Sequence, residues 1–317
     1  MRAEPSLLHN HSHGGHDHSH GAHHHHHHHA PTSFGAAFAA GIVLNLGFVA
    51  VETVYGFAAN SMALLADAGH NLADVLALAT AWAGAILAKR PPTRRFSYGL
   101  RAASILAALA NSVILLIAVS FIAYHAVMRL IIPDLVAGGT VTIVAGIGIA
   151  INGATALMFA RGRRSDINVR GAYLHMIADA MVSAGVVAAG LLIEWTGWLW
   201  VDPVTSLVVA GLIFLAGADL MRDSVTMALA GVPRHIDPDK VEAHLLARPG
   251  VERIHDLHIW PMSTTELALT AHLVIPGGFP GDAFLAGCAQ EVEQYFGITH
   301  ATFQVEIGDD CALEDRC

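Results

Sequence analysis

Charged residues are scarce in this chain: they make up 14% of its 317 residues, whereas hydrophobic residues make up 54%. The mean hydropathy of +0.51 is hard to reconcile with a soluble surface, so a membrane protein is the first interpretation. The formal net charge is −9, which excludes the large basic surface of a nucleic-acid-binding protein. The sequence also lacks a phosphate-binding Gly-rich Lys-Ser/Thr motif, so no nucleotide partner is expected.

Cysteine is nearly absent as well. Only Cys288, Cys311 and Cys317 occur, all in the most polar part of the chain, so no disulfide framework is expected and a reducing cytoplasm fits them. The spacing of Cys311 and Cys317 is looser than that of a zinc knuckle, and it is either incidental or supplies one thiolate to a metal site. Apolar residues are almost missing before Phe34, so a cleaved signal peptide is not predicted.

Histidine is abundant at the N-terminus. Residues 1–33 contain thirteen of the 22 histidines, first interleaved with other residues and then in an unbroken run from His23 to His29. A low-complexity tail of this kind is expected to be disordered. The run alone fits an expression tag, whereas the irregular stretch before it favours a native cytoplasmic tail that buffers metal.

Six apolar segments follow, each long enough for the ~20 residues that cross a bilayer as a helix. They lie at about 34–57, 62–88, 102–131, 136–160, 171–195 and 199–229. Ser61 stands in the short polar break before the second segment, where it can cap the next helix. Residues 34–230 are therefore predicted to form an all-α transmembrane transport domain of six helices in a lipid bilayer.

Basic residues mark two of the predicted loops. Those between the second and third spans are Lys89, Arg90, Arg94, Arg95 and Arg101, and those between the fourth and fifth are Arg161, Arg163, Arg164 and Arg170. Because lysine and arginine in short loops accumulate on the cytoplasmic side, both loops are predicted to be cytoplasmic. Six crossings then place both termini in the cytoplasm, in a multi-pass protein of the inner (plasma) membrane.

The pattern changes near residue 231, where prolines interrupt the last helix and charged residues return. Residues 231–317 are predicted to form a separate cytoplasmic domain. Its expected elements are a helix capped by Asp237 that runs to Arg248, strands at 254–261 and 266–275, a helix at 284–296 and a strand at 301–307. This α-β-β-α-β order predicts a small α+β domain with its helices on one face of the sheet.

The pattern H-x-x-A-D occurs in two spans, at His70 to Asp74 and at His175 to Asp179. In a helix, positions i and i+4 share a face, so each pair can direct an imidazole and a carboxylate at one point. Two nitrogens and two oxygens suit tetrahedral zinc, with cobalt, nickel and cadmium as further candidates. Polar groups that merely join helices are the alternative, but a buried carboxylate costs at least ~2.5 kcal/mol, and here it recurs with the same partner.

Other polar residues interrupt the spans. Asp67, three residues before His70, is either a structural group, a carboxylate that receives the incoming ion, or a proton acceptor, and Glu52 is open in the same way. Asp202 precedes Pro203 at a predicted helix start, where capping of that helix explains it.

Several longer stretches resemble the cation diffusion facilitator family of metal–proton antiporters. They are LLADAGHNLADVLAL, GAYLHMIADAMVSAG and WVDPVTSLVVAGLI in the spans, and HDLHIWPMST and GITHATFQVE in the cytoplasmic domain. The resemblance runs from about Phe34 to Gly308 and implies a homodimer that exports metal in exchange for protons. The stretch YGLRAASILAAL before the third span is similar to a branch linked with cobalt as well as zinc.

The resemblance also implies two sets of metal ligands. The transported ion is expected at His70, Asp74, His175 and Asp179, and a His-Asp pair on both helices is similar to zinc-preferring members. Zn²⁺ is therefore the expected substrate, with Co²⁺ second. Cytoplasmic ligands, expected to hold Zn²⁺ too, fall on His255, His272 and Glu306.

Two further histidines of the cytoplasmic domain remain open. His258 lies on the opposite side of the strand alternation from His255, and His300 precedes its strand, so each is either a surface residue or an additional ligand.

Two rival classes of function are also open. An intramembrane metalloenzyme could hold a catalytic zinc, although a metalloprotease helix would contain H-E-x-x-H, which this sequence lacks. A membrane metal sensor would bind metal and signal without transport. The sequence favours a transporter that is not an enzyme and that moves a divalent transition-metal cation out of the cytoplasm.

Overall fold

The computed structural model describes residues 36–88, 90–160 and 167–308. Six long helices come first, and each coincides with one predicted apolar segment. They are α1 (Ala36–Ala58), α2 (Met62–Ala88), α3 (Ala103–Ile131), α4 (Gly138–Phe159), α5 (Ile167–Thr196) and α6 (Val201–Ala228). The histidine tail, the arginines at 161–164, Cys311 and Cys317 lie outside the described residues.

The helical part presents an apolar surface. By length and composition, four helices within the described ranges could cross a membrane, namely α3, α4, α5 and α6. Their outward side chains are large and apolar, as at Ile117, Leu157 and Leu215, which are 66%, 74% and 69% exposed. Trp198 and Trp200 stack on each other in the connection between α5 and α6, and tryptophan favours the membrane–water interface. This surface suits lipid rather than water.

Helix α2 is packed on two sides. Ala63 and Leu64 join a buried cluster with α4 and α5, whereas Ala66 joins another with α3 and α6. Helices α4 and α5 approach closely at Gly190, where a Cβ atom would lie 2.9 Å from the carbonyl oxygen of Gly138. Small residues permit such close approach between membrane helices. The packing brings the polar side of α2 against α5.

The start of α2 is capped from another helix. The backbone N–H of Leu64 donates to Ser61 Oγ at 3.2 Å, as expected for an N-cap serine. The carboxylate of Asp202 accepts hydrogen bonds from the backbone N–H groups of Met62, at 2.8 Å, and Ala63, at 3.3 Å. The prediction that Asp202 caps α6 is therefore wrong. It lies within the first turn of α6 and caps α2 instead, because the free N–H groups of α2 face it.

The C-terminal part has the predicted α-β-β-α-β order. Its elements are α7 (Pro238–Leu246), β1 (Arg253–Pro261), β2 (Leu267–Val274), α8 (Asp282–Phe296) and β3 (His300–Glu306). The sheet order is β1-β2-β3, with β1 antiparallel and β3 parallel to β2. Asp237 occupies the N-cap position of α7 without a side-chain capping bond, because its carboxylate pairs with Lys240 at 3.2 Å.

The two helices cover one face of this sheet. Leu269, Ala271 and Leu273 alternate along β2 and are buried in a core that includes Val241 of α7 and Cys288 of α8. Burial raises the pKa of the Cys288 thiol, so this cysteine behaves as a core residue. His272 has the opposite parity in β2, and the histidines of the sheet therefore lie on the face away from the helices.

Candidate metal sites

Helices α2 and α5 bring four ligand-type side chains together. His70 and Asp74 lie one turn apart on α2, and His175 and Asp179 do so on α5. The closest contacts run between the helices: His70 Nε2 lies 3.2 Å from Asp179 Oδ1, and His175 Nε2 lies 3.3 Å from Asp74 Oδ2. Within each helix the corresponding distances are 3.9 Å and 3.7 Å. Each carboxylate is thus shared by both imidazoles.

These distances suit a tetrahedral ion. Ligand atoms about 2.0–2.2 Å from a central zinc are about 3.3–3.6 Å from one another. The nitrogen–oxygen separations of 3.2–3.9 Å bracket that range. Ligand atoms of His70, Asp74 and Asp179 all lie within 4.8 Å of one another, and His175 joins them through the two carboxylates. Small side-chain movements would complete an N2O2 shell.

The membrane site is enclosed on one side only. The Asp179 side chain is 3% exposed, whereas that of His175 is 35% exposed. Those of His70 and Asp74 have intermediate values of 23% and 22%. An ion could therefore approach from the side of His175 and meet the buried carboxylate of Asp179 last.

A second cluster lies on the open face of the C-terminal sheet, where each strand contributes one residue. His255 Nε2 of β1 lies 2.8 Å from Glu306 Oε2 of β3, and His272 Nδ1 of β2 lies 3.1 Å from Glu306 Oε1. Ligand atoms of all three lie within 4.8 Å of one another. The structure thus brings together the three cytoplasmic residues that the family resemblance implied, and this set of two nitrogens and one oxygen suits zinc.

Glu306 is prepared to act as a carboxylate ligand. Partial burial raises the pKa of Glu306. Hydrogen bonds with His255 and Gln304 and the charge of the neighbouring imidazoles lower it by more, so the pKa lies below its ordinary value. The side chain is therefore ionised at neutral pH and needs no deprotonation to bind a cation.

A β-bulge changes the surroundings of this cluster. The pairing with β2 shifts between His255, opposite His272, and His258, opposite Thr270, so β1 contains one extra residue. The prediction of strict alternation, which placed His258 on the opposite side of β1 from His255, is therefore wrong. The bulge returns His258 to the same face of the sheet as His255. Asp256, at the bulge with φ of 50°, links His258 to His272: its carboxylate oxygens lie 2.6 Å and 3.3 Å from their Nε2 atoms.

Asp256 is the residue that sequence reasoning missed. Its only signals were its position between two histidines in HDLH and the tolerance of aspartate for positive φ. His300 stays apart from the cluster at the exposed start of β3, where its ring lies 5.9 Å from that of Tyr98.

Two protein-family models match this chain, one over its helical part and one over its C-terminal part. Residues 38–227 match the cation efflux transmembrane domain, and residues 233–307 match the cation efflux protein cytoplasmic domain. The chain is 36% identical over 267 residues to the metal cation efflux system protein CzcD of Cupriavidus metallidurans, covering 84% of each protein.

Two further relatives show similar coverage. A cadmium, cobalt and zinc/H(+)-K(+) antiporter of Bacillus subtilis is 34% identical over 269 residues, which cover 83% of this chain and 86% of that protein. The zinc transporter ZitB of Escherichia coli is 34% identical over 278 residues, which cover 86% of this chain and 88% of that protein.

A bundle of long apolar helices with paired His-Asp groups, followed by a small α+β domain, defines a multi-pass membrane transporter of metal cations. The chain belongs to the cation efflux family, the cation diffusion facilitators, as the resemblance implied. It therefore exports divalent metal cations and is not an enzyme.

Proposed function

We propose that this protein exports Zn²⁺ from the cytoplasm in exchange for protons, with Co²⁺, Cd²⁺ and Ni²⁺ as further substrates. The observation that carries the proposal is the N2O2 arrangement of His70, Asp74, His175 and Asp179 between α2 and α5. The names of two relatives support it, since one is a zinc transporter and the other a cadmium, cobalt and zinc/H(+)-K(+) antiporter.

Metal ions and protons compete for the same atoms in this mechanism. Metal binding requires neutral imidazole, and a free imidazole titrates near ~6.5, so moderate acidity can displace the ion. On the cytoplasmic side a metal ion displaces protons from the four ligands. On the opposite side protons return to the ligands and release the ion.

The proposal extends to the arrangement of the chain. Residues 34–230 form the transport domain, residues 231–317 form a cytoplasmic domain, and residues 1–33 form a cytoplasmic tail that buffers metal. The protein works as a homodimer in the inner (plasma) membrane with both termini in the cytoplasm. The match of residues 233–307 to the cytoplasmic domain of cation efflux proteins supports the dimer, since that family is designated a dimerisation domain.

The cytoplasmic cluster is proposed to bind its own Zn²⁺ through His255, His272 and Glu306. In variants His255→Ala and His272→Ala, the metal bound per protomer should fall while the membrane site remains occupied. Unchanged metal content in both variants would remove this second site from the proposal.

Transport is tested in proteoliposomes that contain a metal-sensitive dye and receive Zn²⁺, Co²⁺, Cd²⁺ or Ni²⁺ from outside. Lowering the internal pH to about 5.5, below the titration range of free imidazole, should accelerate zinc uptake. Alanine at any one of the four membrane ligands should reduce uptake to near background, because the ion loses a quarter of its shell. Near wild-type flux in Asp74→Ala or Asp179→Ala would refute the site. Binding without any flux would favour the sensor alternative.

A further inference from the structure

Two acidic side chains are buried together beside the membrane metal site. Glu52 of α1 is 0% exposed and Asp67 of α2 is 1% exposed, and both lie at the same part of the α1–α2 interface, because Asn71, one turn after Asp67 on α2, donates a hydrogen bond to Glu52. No lysine or arginine among residues 36–88, 90–160 and 167–308 forms an ion pair with either group. The pair therefore lacks the cation that normally accompanies buried carboxylates.

Each carboxyl group receives one hydrogen bond from a neutral donor. Asn71 Nδ2 donates to Glu52 Oε2 at 2.9 Å, and Ser183 Oγ of α5 donates to Asp67 Oδ2 at 3.0 Å. The remaining oxygens, Glu52 Oε1 and Asp67 Oδ1, are buried without any donor. Carboxylate oxygens only accept hydrogen bonds, so two such groups can share a hydrogen bond only when one of them carries a proton. Mutual repulsion in an apolar interior also prevents both from being ionised.

The pair is connected to the metal ligands through the same helical turns. Asp67 precedes His70 by three residues, and Asn71 follows His70 directly. Ser183 lies one turn beyond Asp179 on α5. His70 and Asp179 lie close enough to Asp67 for their charges to act on it. A cation bound between these two ligands therefore changes the electrostatic potential at the Glu52 and Asp67 carboxyl groups.

We propose that the Glu52–Asp67 pair, hereafter the carboxyl pair, is a proton-binding site of the transport cycle, distinct from the metal ligands. It holds one proton while the membrane site is free. A divalent cation bound about one helical turn away, roughly 5.4 Å, disfavours that proton, which is released to water. The proton returns when the metal leaves. This inference rests on the proposed exchange of metal for protons.

Infrared difference spectroscopy of the full-length wild-type protein tests the protonation directly. The metal-free protein should show the C=O stretch of a protonated carboxylic acid, and addition of Zn²⁺ should remove it. The loss of this band should be smaller in Glu52→Gln and in Asp67→Asn, where only the ligand carboxyl groups of Asp74 and Asp179 can still release protons. A wild-type spectrum without this change, or with an identical change in both variants, would overturn the inference. Absence of the change from the wild-type spectrum overturns the inference even if a variant fails to fold.

Proton counting in proteoliposomes tests the role in transport. The number of protons moved per Zn²⁺ should fall by one in Glu52→Gln and Asp67→Asn, while both variants still bind Co²⁺ with the wild-type absorption spectrum. Glu52→Asp keeps a carboxyl group at both positions and should therefore keep the wild-type number of protons per Zn²⁺. An unchanged ratio in both neutral variants would overturn the role of the carboxyl pair.

Asp202→Asn is the matched control. Asp202 is also a fully buried carboxylate of the helical bundle, but Ser61 Oγ and two backbone N–H groups of α2 donate to it and Arg129 lies 4.0 Å away. These donors and the guanidinium compensate its charge in a way that the carboxyl pair lacks, so its replacement should not change the proton ratio. A wild-type protein that moves Zn²⁺ without protons would refute the exchange itself, whereas the infrared change reports on the carboxyl pair separately.

Discussion

His70 contributes one of the two nitrogens in the membrane site, and it contacts carboxylates on both helices. Replacing it with aspartate would keep a ligand at this position but would exchange a nitrogen for a harder oxygen. Carboxylate ligands suit Mn²⁺, whereas imidazole suits zinc. We therefore expect the choice of nitrogen or oxygen at this one residue to determine which ions compete well.

We expect His70→Asp to broaden selectivity rather than abolish transport. Competition by Mn²⁺ and Cd²⁺ against zinc uptake should increase relative to the wild type at equal protein level. His125→Gln is the control, because His125 lies on α3 with its ring 4.3 Å from that of Phe121 and away from the site. Loss of all flux in His70→Asp would show that this position requires nitrogen.

Asp256 holds the nitrogen of His272 that points away from Glu306. Metal-bound histidines usually donate their other ring N–H to a carboxylate, and removing that partner typically lowers metal affinity 10–100-fold. Asp256→Gly should lower the zinc affinity of the cytoplasmic site by about that factor, although glycine tolerates the φ of 50° at this residue.

Asp256→Asn separates the two possible roles of this residue, as a hydrogen-bond partner of His272 and as the residue with positive φ in the bulge. Asparagine also tolerates positive φ and keeps an acceptor oxygen, so it should have the smaller effect. Zinc titration in an Asp74→Ala background, with the histidines of residues 1–33 replaced by serine, isolates the cytoplasmic site. Wild-type affinity in Asp256→Gly would mean that the residue serves only the backbone of the bulge.

At the scale of elements, the sequence predicted those features that depend on local patterns. Long apolar runs located all six helices, and alternation with proline breaks located the cytoplasmic elements. The i and i+4 spacing paired each membrane histidine with its aspartate, and the family resemblance joined the two pairs.

The features that sequence could not predict depend on distant contacts or on an inserted residue. Asp202 caps a helix that begins about 140 residues earlier in the chain, and no local pattern records such a contact. One extra residue at the bulge reverses the alternation of β1, which moves His258 to the ligand face. The burial of Glu52 near Asp67 likewise follows from the packing of α1 on α2, and the sequence pattern of neither helix predicts that packing.

The orientation of the helices can be tested with introduced cysteines. Leu135, between α3 and α4, and Trp198, between α5 and α6, are 82% and 50% exposed, and both connections are predicted to face outside. An impermeant thiol reagent should label Leu135→Cys and Trp198→Cys in intact cells but not Arg94→Cys. Cys311 and Cys317 are replaced by serine, whereas buried Cys288 can remain. The reverse labelling pattern would invert the topology.

At the scale of the whole molecule, the histidine tail is predicted to gather metal without forming part of the path. Deleting residues 1–33 should lower flux at limiting Zn²⁺ and leave flux at saturating Zn²⁺ nearly unchanged, because histidines outside the transport domain can concentrate ions near it but do not supply the four ligands of the membrane site. The matched control keeps the length of the tail and replaces its histidines with serine. Lost flux at saturating metal in a correctly inserted deletion would contradict this prediction.

The two domains meet at the start of α3. Arg101 Nη1 lies 3.2 Å from Glu266 Oε2, just before β2, and the backbone N–H of Thr264 donates to Ser104 Oγ at 3.1 Å. Glu266 directly precedes β2, and β2 contains His272. A movement of the cytoplasmic cluster on metal binding can therefore be transmitted along this one strand to α3. We therefore expect Zn²⁺ bound at the cytoplasmic cluster to activate flux, and this contact to transmit that activation to the transport domain.

Charge reversal tests this coupling separately from stability. The Arg101 and Glu266 side chains are each 33% exposed, and such ion pairs typically contribute only ~0–1 kcal/mol, so thermal stability should change little. Arg101→Glu and Glu266→Arg should each weaken the activation of flux by cytoplasmic Zn²⁺, because like charges then separate the domains. The double variant restores the attraction and should recover activation. Reversing Asp237 and Lys240, an exposed pair within one domain, is the control. Wild-type activation in both single variants would show that the domains communicate elsewhere.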